Sequence, residues 1–199
     1  MKISHLLSGL ALAALVSGTA LAKAPAAGPA PLPQPEIKQI GDWQVRCYPM
    51  ASASPCDMFQ QQNDPQSQQR ILALSLAYIP NLDRHAIQIS VPLGISVPPG
   101  VILHTASFST PLMPYRRCDR GGCYVEMLID NSTIDQLSHA GDSALVKITA
   151  DDGKNYDLKL SLNGFTAAHD SMAEQARQKA KTPPPAAPAA APAPTAPAK

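Results

Sequence analysis

The 199-residue chain is 45% apolar and only 16% charged, and it holds 21 prolines. Lys+Arg 16 against Asp+Glu 15 leaves a formal charge of +1, yet residues 40–170 contain 9 basic and 13 acidic side chains, close to −4. An acidic middle excludes a sequence-independent nucleic-acid binder, which needs a basic face for phosphates, and a membrane protein with several spans does not fit in this length of mixed sequence.

Lys2 and His5 precede the apolar run Leu6–Val16, and Ala20-Leu21-Ala22 supplies small residues at the exit. This pattern predicts a secretory signal peptide over residues 1–22. A run of about 11 residues is too short for a bilayer-spanning helix, which needs ~20. No cysteine follows the exit, so lipid attachment is not expected, and the mature chain should begin near Lys23. Residues 23–39 follow as a Pro/Ala-rich linker, with five prolines between Pro25 and Pro35.

The span 40–181 reads as one domain, and period-two alternation makes it mainly β. Leu72, Leu74, Leu76 and Tyr78 share one face of a strand; His85, Ile87, Ile89 and Val91 share another; Tyr156, Leu158, Leu160 and Leu162 a third. Further strands are expected over 42–48, 56–62, 101–108, 112–117, 123–130 and 144–150. Turn signals separate them, among them Asn63-Asp64-Pro65, Pro98-Pro99-Gly100 and Asp151-Asp152-Gly153. Short antiparallel strands at this spacing predict a β-sandwich or a partly open barrel. A short helix is expected over 131–139, with Asp135 in its first turn. A longer one, rich in good helix formers, is expected over 166–181, docked through Phe165, Ala168 and Met172. Residues 182–199 contain only Thr, Pro, Ala and Lys. They cannot bury enough apolar area to offset ordering entropy, so they are expected to be a disordered tail.

The four cysteines, Cys47, Cys56, Cys118 and Cys123, suit an oxidising compartment. Three pairings are open. Cys47–Cys56 and Cys118–Cys123 are favoured, because Asp119-Arg120-Gly121-Gly122 is a turn sequence that sets its flanking residues opposite each other. Their C-x8-C and C-x4-C spacings match neither a common structural zinc site nor the usual redox pair. No metal or cofactor is expected.

Several blocks together resemble one family. Gly41-Asp42-Trp43-Gln44-Val45-Arg46-Cys47 and Pro55-Cys56-Asp57-Met58-Phe59-Gln60 are similar to the opening of the invasion-associated locus B family. Val91-Pro92-Leu93-Gly94-Ile95, Pro99-Gly100-Val101, Tyr115-Arg116-Arg117-Cys118, Gly122-Cys123-Tyr124 and Leu160-Ser161-Leu162-Asn163-Gly164-Phe165 follow in the family's order. The resemblance covers roughly residues 40–170 and implies an exported protein of Gram-negative, mostly alphaproteobacterial, cells. The family takes its name from a member linked to host-cell invasion. It brings no catalytic or binding residues to carry over.

The residues themselves supply no recognised catalytic motif: H-E-x-x-H and G-x-S-x-G are both absent. His85 and His104 fall in expected strands and are the candidates for an envelope enzyme working with a nearby carboxylate. His169 and Asp170, adjacent on a helix, are not expected to face each other. Arg116, Arg117 and Arg120 form the basic cluster of the domain. Strand alternation should send Arg116 and Arg117 to opposite faces, so Arg117 and Arg120 are the candidate binding pair for a carboxylate, a phosphate or an acidic polysaccharide. The favoured reading is a non-catalytic exported protein, periplasmic, surface-associated or secreted, that binds a protein or envelope component. The alternative is the histidine enzyme.

Overall fold

The computed structural model describes residues 34–50 and 52–181. The expected signal peptide, most of the linker, and the tail at 182–199 lie outside the described residues. Ten strands and two helices follow in order: β1 (Glu36–Ile40), β2 (Trp43–Cys47), β3 (Cys56–Asn63), β4 (Arg70–Ile79), β5 (Arg84–Val91), β6 (Ile102–His104), β7 (Tyr115–Asp119), β8 (Gly122–Ile129), α1 (Asn131–Ser138), β9 (Ser143–Thr149), β10 (Asn155–Ser161) and α2 (Phe165–Lys181). The strands form two sheets, β1-β2-β3-β4-β5-β8-β7 and β10-β9-β6, with every pairing antiparallel. Neither closes on itself, so the fold is mainly β and consistent with a sandwich.

Alternation decides which face of the large sheet is buried. Trp43, Val45, Met58, Leu72, Leu74, Leu76, Ile89 and Val125 point inward and are nearly inaccessible to solvent. Leu103, Val146 and Leu160 from the small sheet enter the same core, as do Phe165, Ala168, Met172, Ala173 and Ala176 from α2. The small sheet and α2 thus divide the work of covering one face, with α2 packed on β1 to β4. The opposite face carries Gln44, Ser75, Ala77, Gln88 and Leu128 and is partly or fully exposed.

Four differences from the expected layout have local causes. Residues 36–39 were expected in the linker, but Ile37 to Gln39 pair with β2 in a hairpin turned by Gly41-Asp42, so the fold begins at the edge strand β1. The strand expected over 101–108 stops at His104. There the Thr105 hydroxyl accepts the backbone N–H of Phe108 at 3.0 Å and of Ser107 at 3.4 Å, a local turn that competes with the ladder. The expected strand over 112–117 is split, with only an isolated bridge at Met113 before β7. Asp135 lies beyond the first turn of α1, whose N-cap residue is Asp130.

The chain closes where the β1–β2 turn meets the start of α2. Gly41 and Gly164 both have positive φ, and a Cβ on either would lie 2.9 Å from the other's Cα. That close approach places Trp43 and Phe165 edge to face, with ring centroids 5.5 Å apart. Gln60, buried beneath them, donates to the carbonyls of Asp42 (3.3 Å) and Ser161 (3.2 Å) and accepts from the Ser161 N–H (2.9 Å). One side chain therefore stitches β3 to both ends of the domain.

Both disulfides join directly opposed strand residues: Cys47 with Cys56 across β2 and β3, and Cys118 with Cys123 across β7 and β8. A non-reduced proteolytic digest should yield these two linked pairs, and a Cys47 peptide joined to Cys118 or Cys123 would contradict the pairing. Leu74→Ala should cost about 2–5 kcal/mol in urea unfolding, the range for a buried aliphatic truncation. Gly41→Ala should cost more than about 1 kcal/mol, because alanine resists positive φ and its methyl would strike the Asn163 carbonyl.

Candidate functional site

The expected basic cluster falls on the β7–β8 hairpin, at one edge of the large sheet. A register shift between Tyr115 and Arg117 makes Arg116 an extra residue opposite β8. Such a bulge breaks the two-residue alternation, and the expected divergence of Arg116 and Arg117 does not occur. Both reach Glu126 on β8: Arg117 Nη2 lies 3.0 Å from one carboxylate oxygen, and Arg116 Nε lies 3.8 Å from the other. Gln88 from β5 donates to the same carboxylate at 2.9 Å. That bond, reinforced by Arg117, holds the Glu126 carboxyl below the usual carboxylate range.

Arg117 is the most constrained of the three arginines. Besides Glu126 it pairs with Asp119, and its guanidinium lies 3.9 Å from the centre of the Tyr124 ring. Asp119 in turn accepts the Gly121 N–H at 2.7 Å, which, with Arg117, lowers its pKa. Arg120 stands exposed at the tip of the turn, with no ion pair among the described residues. The structure therefore puts Arg117 and Arg120 on one hairpin but does not join them, because Arg117 is already held by two carboxylates. Arg116, with 71% of its side chain exposed and a single loose pair, is freer.

A fourth arginine comes from outside the motif. Arg70, at the start of β4, donates to the Gly121 carbonyl at 2.6 Å. Nothing in the sequence links it to a hairpin 51 residues away; the sheet order β4-β5-β8 sets the start of β4 at the same end as the β7–β8 turn. Four arginines against Asp119 and Glu126 leave this corner with a formal excess of two positive charges.

The corner opens onto the uncovered face of the sheet. Register aligns Gln44, Phe59, Ser75, Gln88 and Glu126 in one row across five strands, and Arg46, Asp57, Ala77, Ala86 and Leu128 in the next. At Ser75, Ala77 and Ala86 the central strands β4 and β5 thus present small side chains between larger neighbours on β3 and β8. The result is a depression of about 420 Å³ floored by Ser75, Ala77 and Ala86 and bordered by Arg116, Glu126 and Leu128.

The histidines expected as catalytic candidates are not brought together. His104, on β6 of the small sheet, bonds Ser109 Oγ at 2.6 Å. His85, on β5 of the large sheet, is 3% exposed, and its Nε2 lies 2.9 Å from His169 Nε2 on α2. The histidine that does touch a carboxylate is His169, whose Nδ1 lies 3.1 Å from Asp170 Oδ1. Adjacent helical residues diverge at Cα and Cβ, but the exposed Asp170 side chain folds back to its neighbour, contrary to expectation. Among the described residues no group of three or more His, Cys, Asp or Glu side chains is placed to hold a metal ion, and no helix is long and apolar enough to cross a membrane.

With this geometry in place, comparison with known proteins gives a consistent result. The family model described as "Invasion associated locus B (IalB) protein" matches residues 43–173. Invasion protein B homologs from two Brucella abortus strains (2308, and biovar 1 strain 9-941) are each 25% identical over 131 residues, 66% of this chain and 75% of theirs. The crystal structure of invasion associated protein B from Bartonella henselae superposes with a TM-score of 0.61 at 24% identity, covering 72% of this chain and 99% of that one. The shared fold is the content of that last match.

Because Glu126 and Asp119 hold Arg117 in place, Arg117→Ala should leave two carboxylates facing each other across the hairpin. Thermal unfolding followed at low and high salt should show a larger loss for this variant than for Arg120→Ala, with the difference shrinking as salt screens the pair.

Proposed function

Since the chain belongs to the invasion associated locus B family, we propose that it is an exported, non-catalytic binding protein of the cell envelope whose ligand is an anionic polymer. The observation that carries this reading is the arginine corner. Arg116 and Arg120 are exposed and largely unspent, Arg117 and Arg70 are fixed beside them, and the surrounding fold is acidic overall, so a local excess of positive charge is not a by-product of composition. Guanidinium groups suit carboxylates and phosphates, which they meet through paired N–H donors. A chain anchored there can extend over the small-residue floor beside it, where Ser75 and Gln88 offer hydrogen bonds.

Two cross-strand disulfides fit maturation in an oxidising compartment, and with the leader pattern at residues 1–22 they support a periplasmic or surface-associated location. The relatives' names connect the family with invasion; a contribution to host-cell contact follows for this chain if the bound polymer lies on the cell surface. The histidine-enzyme alternative is the weaker reading. His85 and His104 sit in different sheets, and neither bonds a carboxylate.

The test is co-sedimentation of the purified chain with isolated envelope at low and physiological salt. Arg116→Ala with Arg120→Ala should weaken association several-fold without lowering the unfolding temperature by more than a few degrees; the expected pair Arg117→Ala with Arg120→Ala should weaken it as well, beyond the stability already lost with Arg117. Wild-type binding should also fade with salt, since exposed charges are screened over about 8 Å at physiological ionic strength. Unchanged association of both double variants at low salt would return the arginines to an ordinary solvated surface.

A further inference from the structure

The most unusual chemistry in the domain lies away from the arginine corner, where α2 passes β4 and touches His85 on β5. His85 and His169 meet there through their Nε2 atoms at 2.9 Å, with ring centroids 5.0 Å apart. A contact between two ring nitrogens is a hydrogen bond only if one carries a proton and the other does not. The neighbours assign the roles. The Asp170 carboxylate can only accept, so His169 presents Nδ1–H to it and leaves Nε2 as a bare acceptor. His85 must then donate Nε2–H, which leaves its own Nδ1 unprotonated. That Nδ1 is buried with no hydrogen-bond partner, an arrangement far less costly for a lone pair than for an N–H.

A further proton has no good place to go. On His169 Nε2 it would replace the acceptor with a second donor, setting two N–H groups against each other. On His85 Nδ1 it would create a buried cation beside the uncharged Asn131 side chain, which cannot neutralise it. The charges around the pair do not rescue it. From α2, Arg177 is a second cation beside such a charge and lies 4.7 Å from the centre of the Tyr78 ring, itself packed on His85. From the β4–β5 turn, Asp83 faces the site, but its carboxylate accepts the Tyr78 hydroxyl at 2.6 Å. On the flanking strand positions, Arg84 is paired with Asp130 at 2.8 Å. Burial first, and the nearby His169 second, push His85 down to about 4, with the Asn131 side chain and Asp83 opposing and Arg177 adding to the depression.

We propose that the His85–His169 contact is an acid-sensitive latch that holds α2 on the large sheet at neutral pH and releases it on acidification. The helix is suited to release as a unit. Its hold on the sheet runs through one stripe of apolar residues, mostly small, from Phe165 to Ala176, and its remaining polar ties are few. The sign follows from linkage. With the helix released, His85 on β5 meets water and regains an ordinary pKa near 6.5, so the open state binds more protons between that value and about 4. The latch is therefore fully closed above about pH 6.5 and weakens as pH falls through that window. Release would uncover the apolar face of β2 to β4, including Met58, Leu76 and Tyr78.

Hydrogen exchange on the full chain, expressed as protection factors between pH 7 and pH 4, tests the proposal. Amides of α2 should lose protection at least ten-fold on acidification while those of β4, β5 and β8 keep theirs, and the change should reverse on neutralisation. His85→Gln, which removes the group whose protonation drives opening, should retain helix protection at acid pH. The wild type offers a check that needs no variant: the His85 imidazole resonance should titrate well below the ordinary histidine range, with the same midpoint as helix opening. Loss of protection by helix and sheet together, an unaltered midpoint in His85→Gln, or an ordinary His85 titration in the wild type would each overturn the latch.

Discussion

The fold depends on the closure between Gly41-Asp42-Trp43 and Asn163-Gly164-Phe165. These segments lie more than a hundred residues apart, and they meet only because neither glycine carries a Cβ at the point of contact. With the backbones that close, Trp43 and Phe165 lock edge to face, and Gln60 ties both segments to β3. Bringing distant segments together costs loop-closure entropy, and here the return comes from a buried aromatic pair and satisfied backbone groups. Without this closure α2 would have no anchor at its start, and half of the large sheet's inner face would meet water.

Covering that face with a helix on one half and three strands on the other has a functional consequence. The small sheet is bound to the core by long, interdigitated aliphatics such as Leu103, Val146 and Leu160. Helix α2 contributes mainly alanines beyond Phe165 and Met172. Less apolar area per residue means a weaker grip, and local opening draws on such elements first. A titratable pair placed under the weaker cover therefore has leverage that the same pair beneath the small sheet would lack.

The arginine corner and the depression beside it arise from a different property of the same sheet. An antiparallel sheet can leave one face wet, and this one sets Ser75, Ala77 and Ala86 on the wet face of β4 and β5 while keeping Phe59, Glu126 and Leu128 on the flanks. Two Arg–aromatic–carboxylate groups, Arg46 with Phe59 and Asp57, and Arg117 with Tyr124 and Glu126, brace those flanks. Their charges are matched internally. At the hairpin, positive charge is left over on Arg116, Arg120 and Arg70, which is why the exposed part of the motif rather than its most ordered member is the better binding candidate.

Local pattern determined most of the architecture. Alternation in Leu72–Tyr78 and His85–Val91, the turn chemistry at Asp119-Arg120-Gly121-Gly122, and the composition of 166–181 announce strands, hairpin, disulfide and helix, because each rests on residues within a few positions of one another. The family resemblance was legible for the same reason, since its blocks are short and contiguous. Tertiary structure alone decided the rest. The bulge at Arg116 reverses a facing rule that any uninterrupted strand obeys, and it depends on how β7 registers against β8. Arg70 joins the corner across 51 residues, and His85 finds His169 rather than His104 across 84. Periodicity says which face a side chain takes but not which distant face it meets. That choice belongs to the packing of sheet against helix, where no single segment carries the information.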